Sequence, residues 1–314
     1  MSLSHAYGVP PSRDEGLAML RAALDEGIGM LDTATLYGGG RNEELVGAAI
    51  AGRRDEVFLA SKCGMASVDG VKVIDGRPDT LRAQVDASLT RLGVDYIDLY
   101  YLHRWDKKVP IGDSVGALAE MVAAGKIGAI GLSEVSVARL REAQEVTPIA
   151  AVQNEYSLWS RNAELGMLDA TREDGVTLVA FSPVARGFLA DAIKDPGELS
   201  QNDIRRGMPR FQPEHWGANA ALLASWRQLA AEAGCTPAQL ALAWLLSRGD
   251  HVLPIPGTTS VAHLRENMAA ADIAVDGALL TRAGELIGTD TISGARYAPA
   301  SAAEVDAETF EDAE

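Results

Sequence analysis

Seven short apolar runs, each followed by a segment with helical periodicity, limit this chain to a small family of folds. The runs are "GIGMLD", "EVFLASK", "YIDLYYLH", "IGAIGLSE", "IAAVQNEYS", "VTLVAFSP" and "HVLPIPG". Each is continuously apolar rather than alternating, which is the pattern of a strand buried on both faces. Between them lie stretches such as "DTLRAQVDASLTRLG", where Leu81, Val85, Leu89 and Leu92 recur at helical spacing. Repeated βα units build a parallel sheet, either doubly wound or closed into a barrel. Two features favour the barrel. No G-x-G-x-x-G follows the first strand. And nearly every strand ends in groups capable of chemistry: Asp32, Lys62, His103, Ser133 with Glu134, Gln153 with Asn154, and Ser182. In a (β/α)8 barrel those ends meet at one mouth, whereas in an open sheet only those near the switch point do.

Four of these residues form a chemical set. Lys62 needs a counter-charge at a dry mouth, and Asp32 on the neighbouring strand end supplies one. Tyr37, five residues after Asp32, has a phenol whose ordinary pKa is near 10. A nearby lysine cation is expected to lower that value and make Tyr37 a usable acid and base, with His103 orienting the same substrate oxygen. Each residue alone has an ordinary structural explanation. Together they suit protonation of a carbonyl oxygen while its carbon is attacked. Asp98, by contrast, lies mid-strand and reads as a structural carboxylate.

The order and spacing of "LDTATLYG", "ASK", "YLH", "GLSE", "VQNEYS", "FSPVARGFL" and "PIPGTTSVAHLREN" resemble the aldo-keto reductase superfamily over essentially the whole chain before its acidic tail. The resemblance implies a (β/α)8 barrel that binds NADPH at the strand C-termini, with Tyr37 as acid and base and Asp32, Lys62 and His103 in support. It also implies that Ser133 and Gln153 hold the nicotinamide carboxamide and that Phe181 stacks on the ring. Ser182, Val184, Arg186 and Gly187 fall in the pyrophosphate loop. Gly257, Thr258, Thr259 and His263 fall in the segment that meets the 2′-phosphate, and Glu266 and Asn267 fall at the adenine. Relatives that prefer NADPH carry Lys or Arg after "PIPG"; hydroxyls there keep NADH open as a second cofactor, with Arg265 a candidate helper. The first barrel strand and the N-terminal hairpin of the family have no counterpart, so the barrel is expected with that strand missing or rudimentary.

The remaining expectations are coarser. Residues 1–300 read as one barrel domain, with a loop at 187–218 over the mouth and a solvated acidic tail at 301–314. Trp105, Trp159, Phe188 and Trp216 are expected to line the pocket for a small-molecule carbonyl substrate. In a 314-residue chain with 47% apolar residues, a formal net charge of −16 disfavours a nucleic-acid partner. No apolar run is long enough for a membrane span. Two cysteines fit the cytoplasm, and five scattered histidines suggest no metal. The alternative to an enzyme is a nucleotide-binding regulatory subunit that keeps the barrel but turns over poorly. Oligomeric state is not readable.

Overall fold

The computed structural model describes residues 1–310; the last four residues lie outside it. Seven parallel strands form the central sheet: β1 (Met30–Asp32), β2 (Phe58–Cys63), β5 (Ile97–Leu102), β6 (Ile127–Ser133), β7 (Ala151–Glu155), β8 (Thr177–Phe181) and β9 (Val252–Pro254). They pair in that order. A separate antiparallel hairpin, β3 (Met65–Val68) and β4 (Val71–Ile74), follows β2 at the mouth. The curled sheet with flanking helices is the (β/α)8 architecture short of one strand, and among the described residues β1 and β9 do not pair.

The ring of helices closes where the ring of strands does not. Helix α1 (Arg13–Asp25) starts at a capping box, with Ser12 accepting from the Glu15 amide and the Glu15 side chain accepting from Ser12. Its Met19 and Ala23 pack on Leu264 of α9 (Val261–Ala269) across the gap. Glu26 pairs with Arg265 on the outside of the same seam.

The strand period of two places the site. One buried cluster fills the barrel interior: Ala60, Leu99, Tyr101, Ala151 and Val179, with Met30, Ala129 and Ile255 beside it. Side chains two residues apart share a face. Two residues beyond Met30, Ala60, Tyr101, Ala151, Val179 and Ile255 stand Asp32, Lys62, His103, Gln153, Phe181 and Gly257. The parallel register staggers β1, β2 and β5 by two residues each, with Asp32 opposite Ala60 and Lys62 opposite Tyr101, while Ser133 and Gln153 lie opposite one another. The intervening residues, such as Leu59 and Cys63, join the larger core beneath the helices. Gly131 makes room for the floor of the site, since a Cβ there would sit 2.3 Å from the Tyr101 ring.

Two expectations are corrected. The loop expected at 187–218 ends at Gln212, where α7 (Pro213–Glu232) begins, and before that it folds into short 3-10 turns. It is tied down by Asp203, which accepts from the Gly8 amide at 3.0 Å and from Arg205. The described part of the acidic tail is docked rather than solvated. Asp306 accepts from the Ser136 amide and hydroxyl at 3.2 and 2.8 Å, and Glu308 accepts from the Val137 amide at 2.6 Å. These carboxylates meet the unpaired amides at the start of α5 (Val137–Gln144), where a negative charge is favoured.

Candidate active site

The Asp32–Lys62 pair sits where β1 and β2 open into the mouth. The Lys62 side chain is fully buried, and its Nζ donates to Asp32 Oδ1, to the Thr33 carbonyl at 2.9 Å and to the Tyr37 hydroxyl at 3.4 Å. Gln153 Nε2 donates to the other Asp32 oxygen at 2.9 Å. Burial pulls the Lys62 pKa down, but Asp32 and Tyr37 outweigh it and hold the ammonium above its ordinary value. Tyr37 is carried by a turn whose glycines, Gly38, Gly39 and Gly40, all adopt left-handed φ of 61°, 65° and 92° before α2 (Arg41–Ile50).

One expectation about Tyr37 reverses. Burial raises its pKa, and the neighbouring Lys62 offsets that only in part, so the phenol is held protonated. Desolvation of a phenolate was not readable from the chain, and here it wins. His103 stands with its ring 5.8 Å from that of Tyr37, edge to face. Burial, followed by the Arg104 and Lys62 cations, pushes its pKa well below 6.5, and its Nδ1 is buried with no partner. The ring is neutral at pH 7. Asp98 is structural: it accepts from the Leu59 amide and from Arg54, both at 2.7 Å.

A single cleft of about 1780 Å³ runs from this set across the mouth, larger than the usual small-ligand pocket of roughly 300–1,000 Å³. Asp32, Tyr37, His103, Ser133, Gln153, Phe181, Ser182, Val184, Arg186, Gly187, Gly257, Thr258, Thr259, His263, Glu266 and Asn267 all line it. The backbone after β8 turns left-handed at Ser182, Ala185, Arg186 and Gly187, with φ of 53°, 51°, 56° and 95°. Within this turn the amides of Ala185 and Gly187 donate to the Ser182 and Val184 carbonyls at 2.9 and 3.1 Å. At the far end Ser260 caps α9, whose N-terminal amides offer an anion site. Arg186 Nε is buried and has no partner. The donor set and length of the cleft fit an extended dinucleotide.

Other placements depart from expectation. The Arg186 guanidinium is committed: Nη2 donates to Glu155 at 2.8 Å and to Tyr297 at 3.2 Å, and Nη1 to Tyr7 at 3.1 Å. Arg296 bridges Glu134 and Glu155, and the Tyr297 hydroxyl donates to Glu155 at 2.9 Å. Burial pulls Glu155 upward, but Arg186 and Arg296 hold it down at about 2. Arg265 pairs with Glu26 and so does not serve the 2′-phosphate segment. The aromatic residues expected around the substrate lie elsewhere. Trp159, Phe188 and Trp216 pack with Phe211 in a buried cluster under the long loop. Trp105 donates to the Val109 carbonyl and stacks under Arg139. None of the four lines the cleft; apolar bulk made them core instead. Arg104, Arg296, Tyr297 and His5 are the mouth residues that the chain alone did not reveal.

The aldo/keto reductase family model matches residues 1–282. The chain belongs to the aldo/keto reductase family. It is 40% identical over 312 residues to the aldo-keto reductase yakc [NADP(+)] of Schizosaccharomyces pombe, covering 97% of this chain and 92% of that one. Among solved structures, a glycerol dehydrogenase from Gluconobacter oxydans superposes with a TM-score of 0.81 at 28% identity, over 90% of this chain and 88% of that one. An aldo/keto reductase from Klebsiella pneumoniae, solved with NADP and acetate, gives 0.70 at 29% identity over 91% and 89%. In this aldo/keto reductase the closed cluster around Glu155 is the part its own sequence concealed.

Proposed function

We propose that this chain reduces an aldehyde or ketone to the alcohol, with NADPH as the reductant and Tyr37 as the proton donor. The observation that carries the reading is a protonated phenol 3.4 Å from a fully buried lysine, facing a cleft long enough for a dinucleotide. The cofactor, when bound, supplies hydride to the carbonyl carbon. Tyr37 holds its proton until the substrate oxygen gains charge, then gives it up. Lys62 stabilises the phenolate left behind, and Asp32 with Gln153 and the Thr33 carbonyl fix that ammonium in place. Neutral His103 orients the carbonyl oxygen.

Ser133 and Gln153 would hold the carboxamide, Phe181 the ring face, and the 182–187 turn the pyrophosphate. Relatives named or solved with NADP support NADPH as the first cofactor. Thr258, Thr259 and Ser260 offer the 2′-phosphate hydroxyls and amides without a cation, which supports some use of NADH. No single helix among the described residues is long and apolar enough to cross a membrane. Free thiols at Cys63 and Cys235 support a cytoplasmic site of action.

NADPH oxidation with a panel of reactive aldehydes tests the reading, with cofactor binding followed in parallel by fluorescence. Tyr37→Phe is expected to lower kcat by about 10²–10⁴, the usual worth of a general acid, while still binding NADPH. Tight binding by a wild type that reduces nothing would instead favour the regulatory-subunit alternative.

A further inference from the structure

Four side-chain cations line the cleft among the described residues, and three are already matched. Lys72 pairs with Glu304, Arg186 with Glu155, and Arg205 with Asp203. Arg104 has no carboxylate partner. It follows His103 directly, and its Nη1 makes both of its hydrogen bonds, to the His103 carbonyl at 2.7 Å and to Ser133 Oγ at 3.2 Å. Its Nε is buried and has no partner. Nη2 makes no hydrogen bond within the protein, so its N–H groups are the unspent part of a guanidinium that lines the cleft, and a charged donor of this kind takes a carboxylate oxygen.

The charge has no other taker at this end of the cleft. Asp32 is occupied by Lys62 and Gln153, and His103 is neutral beside it. An unmatched cation costs free energy until a ligand supplies the counter-charge. The negative charge of the whole chain does not cancel this preference, because exposed charges beyond about 10 Å are screened at ordinary salt.

From this the geometry points to Arg104 as a specificity residue that binds a carboxylate on the substrate, so that the preferred carbonyl compound is a short oxo acid. This rests on the reductase reading above and narrows it. Arg104 would grip the carboxylate while Tyr37 and His103 meet the carbonyl oxygen, which fixes the carbonyl face as well as selecting the substrate.

The test compares a short oxo acid with its methyl ester, using wild type, Arg104→Gln and Arg104→Lys with NADPH. The quantity read is the ratio of kcat/KM for acid over ester. Wild type is expected to favour the acid by roughly ten- to hundred-fold, the worth of a charge-assisted hydrogen bond. Arg104→Gln should bring the ratio close to one, and Arg104→Lys should keep part of it, because the charge stays while the donor is held in a different place. Calorimetry with an unreactive short carboxylate gives a readout free of turnover: binding to wild type and loss in Arg104→Gln are expected. A wild-type ratio near one, or a ratio unchanged in Arg104→Gln, overturns the assignment while leaving the reductase reading intact. Failure to reduce acid and ester alike overturns both.

Discussion

Two buried charge clusters stand at the strand ends, one built around Glu155 and the other around Lys62, and they hold different chemistry. Around Glu155, two carboxylates, two guanidiniums and the Tyr297 hydroxyl bond one another, with Arg186 Nε the one guanidinium nitrogen of Arg186 that has no partner. Around Lys62, the ammonium is held on one side by Asp32 and the Thr33 carbonyl and reaches Tyr37 on the other, and the neighbouring His103 Nδ1 and Arg104 Nε have no partner. Buried ion pairs alone therefore do not mark a catalytic centre. What marks it is a pair that orients a group able to exchange a proton with something outside the protein.

That contrast can be broken by substitution. Lys62→Met should give the largest loss, on the order of 10²–10⁴ in kcat, because the phenolate would form without its cation; single-turnover reduction with NADPH measures it. Glu155→Gln should act on stability instead, by about 3–5 kcal/mol, since it leaves two buried guanidiniums short of a counter-charge. Chemical denaturation reads that loss, and kcat per folded molecule is expected to change far less than in Lys62→Met. If Glu155→Gln were as inactive as Lys62→Met while remaining folded, the division between the clusters would fail.

A graded effect should appear with pH. The folded-state pKa of His103 lies below its unfolded value of 6.5, so in the interval between them the unfolded chain binds more protons. Stability contributed by the neutral ring is present above pH 6.5 and is lost as pH falls toward the folded pKa. His5, held near 4 mainly by burial, adds in the same direction. Melting temperature should fall from pH 7 toward pH 4, and the slope between pH 6.5 and 5 should flatten in His103→Gln. The smallest effect belongs to the docked tail. Asp306→Asn removes a charge from the start of α5 and should cost about 0.3–1 kcal/mol, measurable as a small shift in the denaturation midpoint.

What could be read from the chain follows from how local each signal is. The seven strands were legible because each is a continuous apolar run bounded by polar ends, and Asp32, Lys62 and His103 were legible because they are those ends. Helix α1 carried a signal too, the capping box of Ser12 and Glu15, which no motif drew attention to. The hairpin β3–β4 had little to show, with Val68, Val71 and Val73 all exposed. Arg296 and Glu134 were out of reach for another reason: they lie 162 positions apart, and nothing near either one announces the other. The direction of the Tyr37 shift depended on burial, which belongs to the whole mouth. The pocket aromatics failed because a large ring near the site in sequence is drawn into whichever core is closest.

The period-two stacking of the strands gives the mouth something like a reading frame. In β2 the inward tier runs Ala60 then Lys62, with Leu59, Ser61 and Cys63 turned toward the helices. Deleting one residue from the strand would swing the lysine out among the helices and present a neighbour in its place, even though the composition of the strand barely changed. Deleting two would restore the face but lower the ammonium by about 6.6 Å, two steps of strand rise. A substitution in the top tier, in contrast, leaves the face of every other residue in the strand as it was. Chemistry in this barrel is thus open to substitution and closed to insertion.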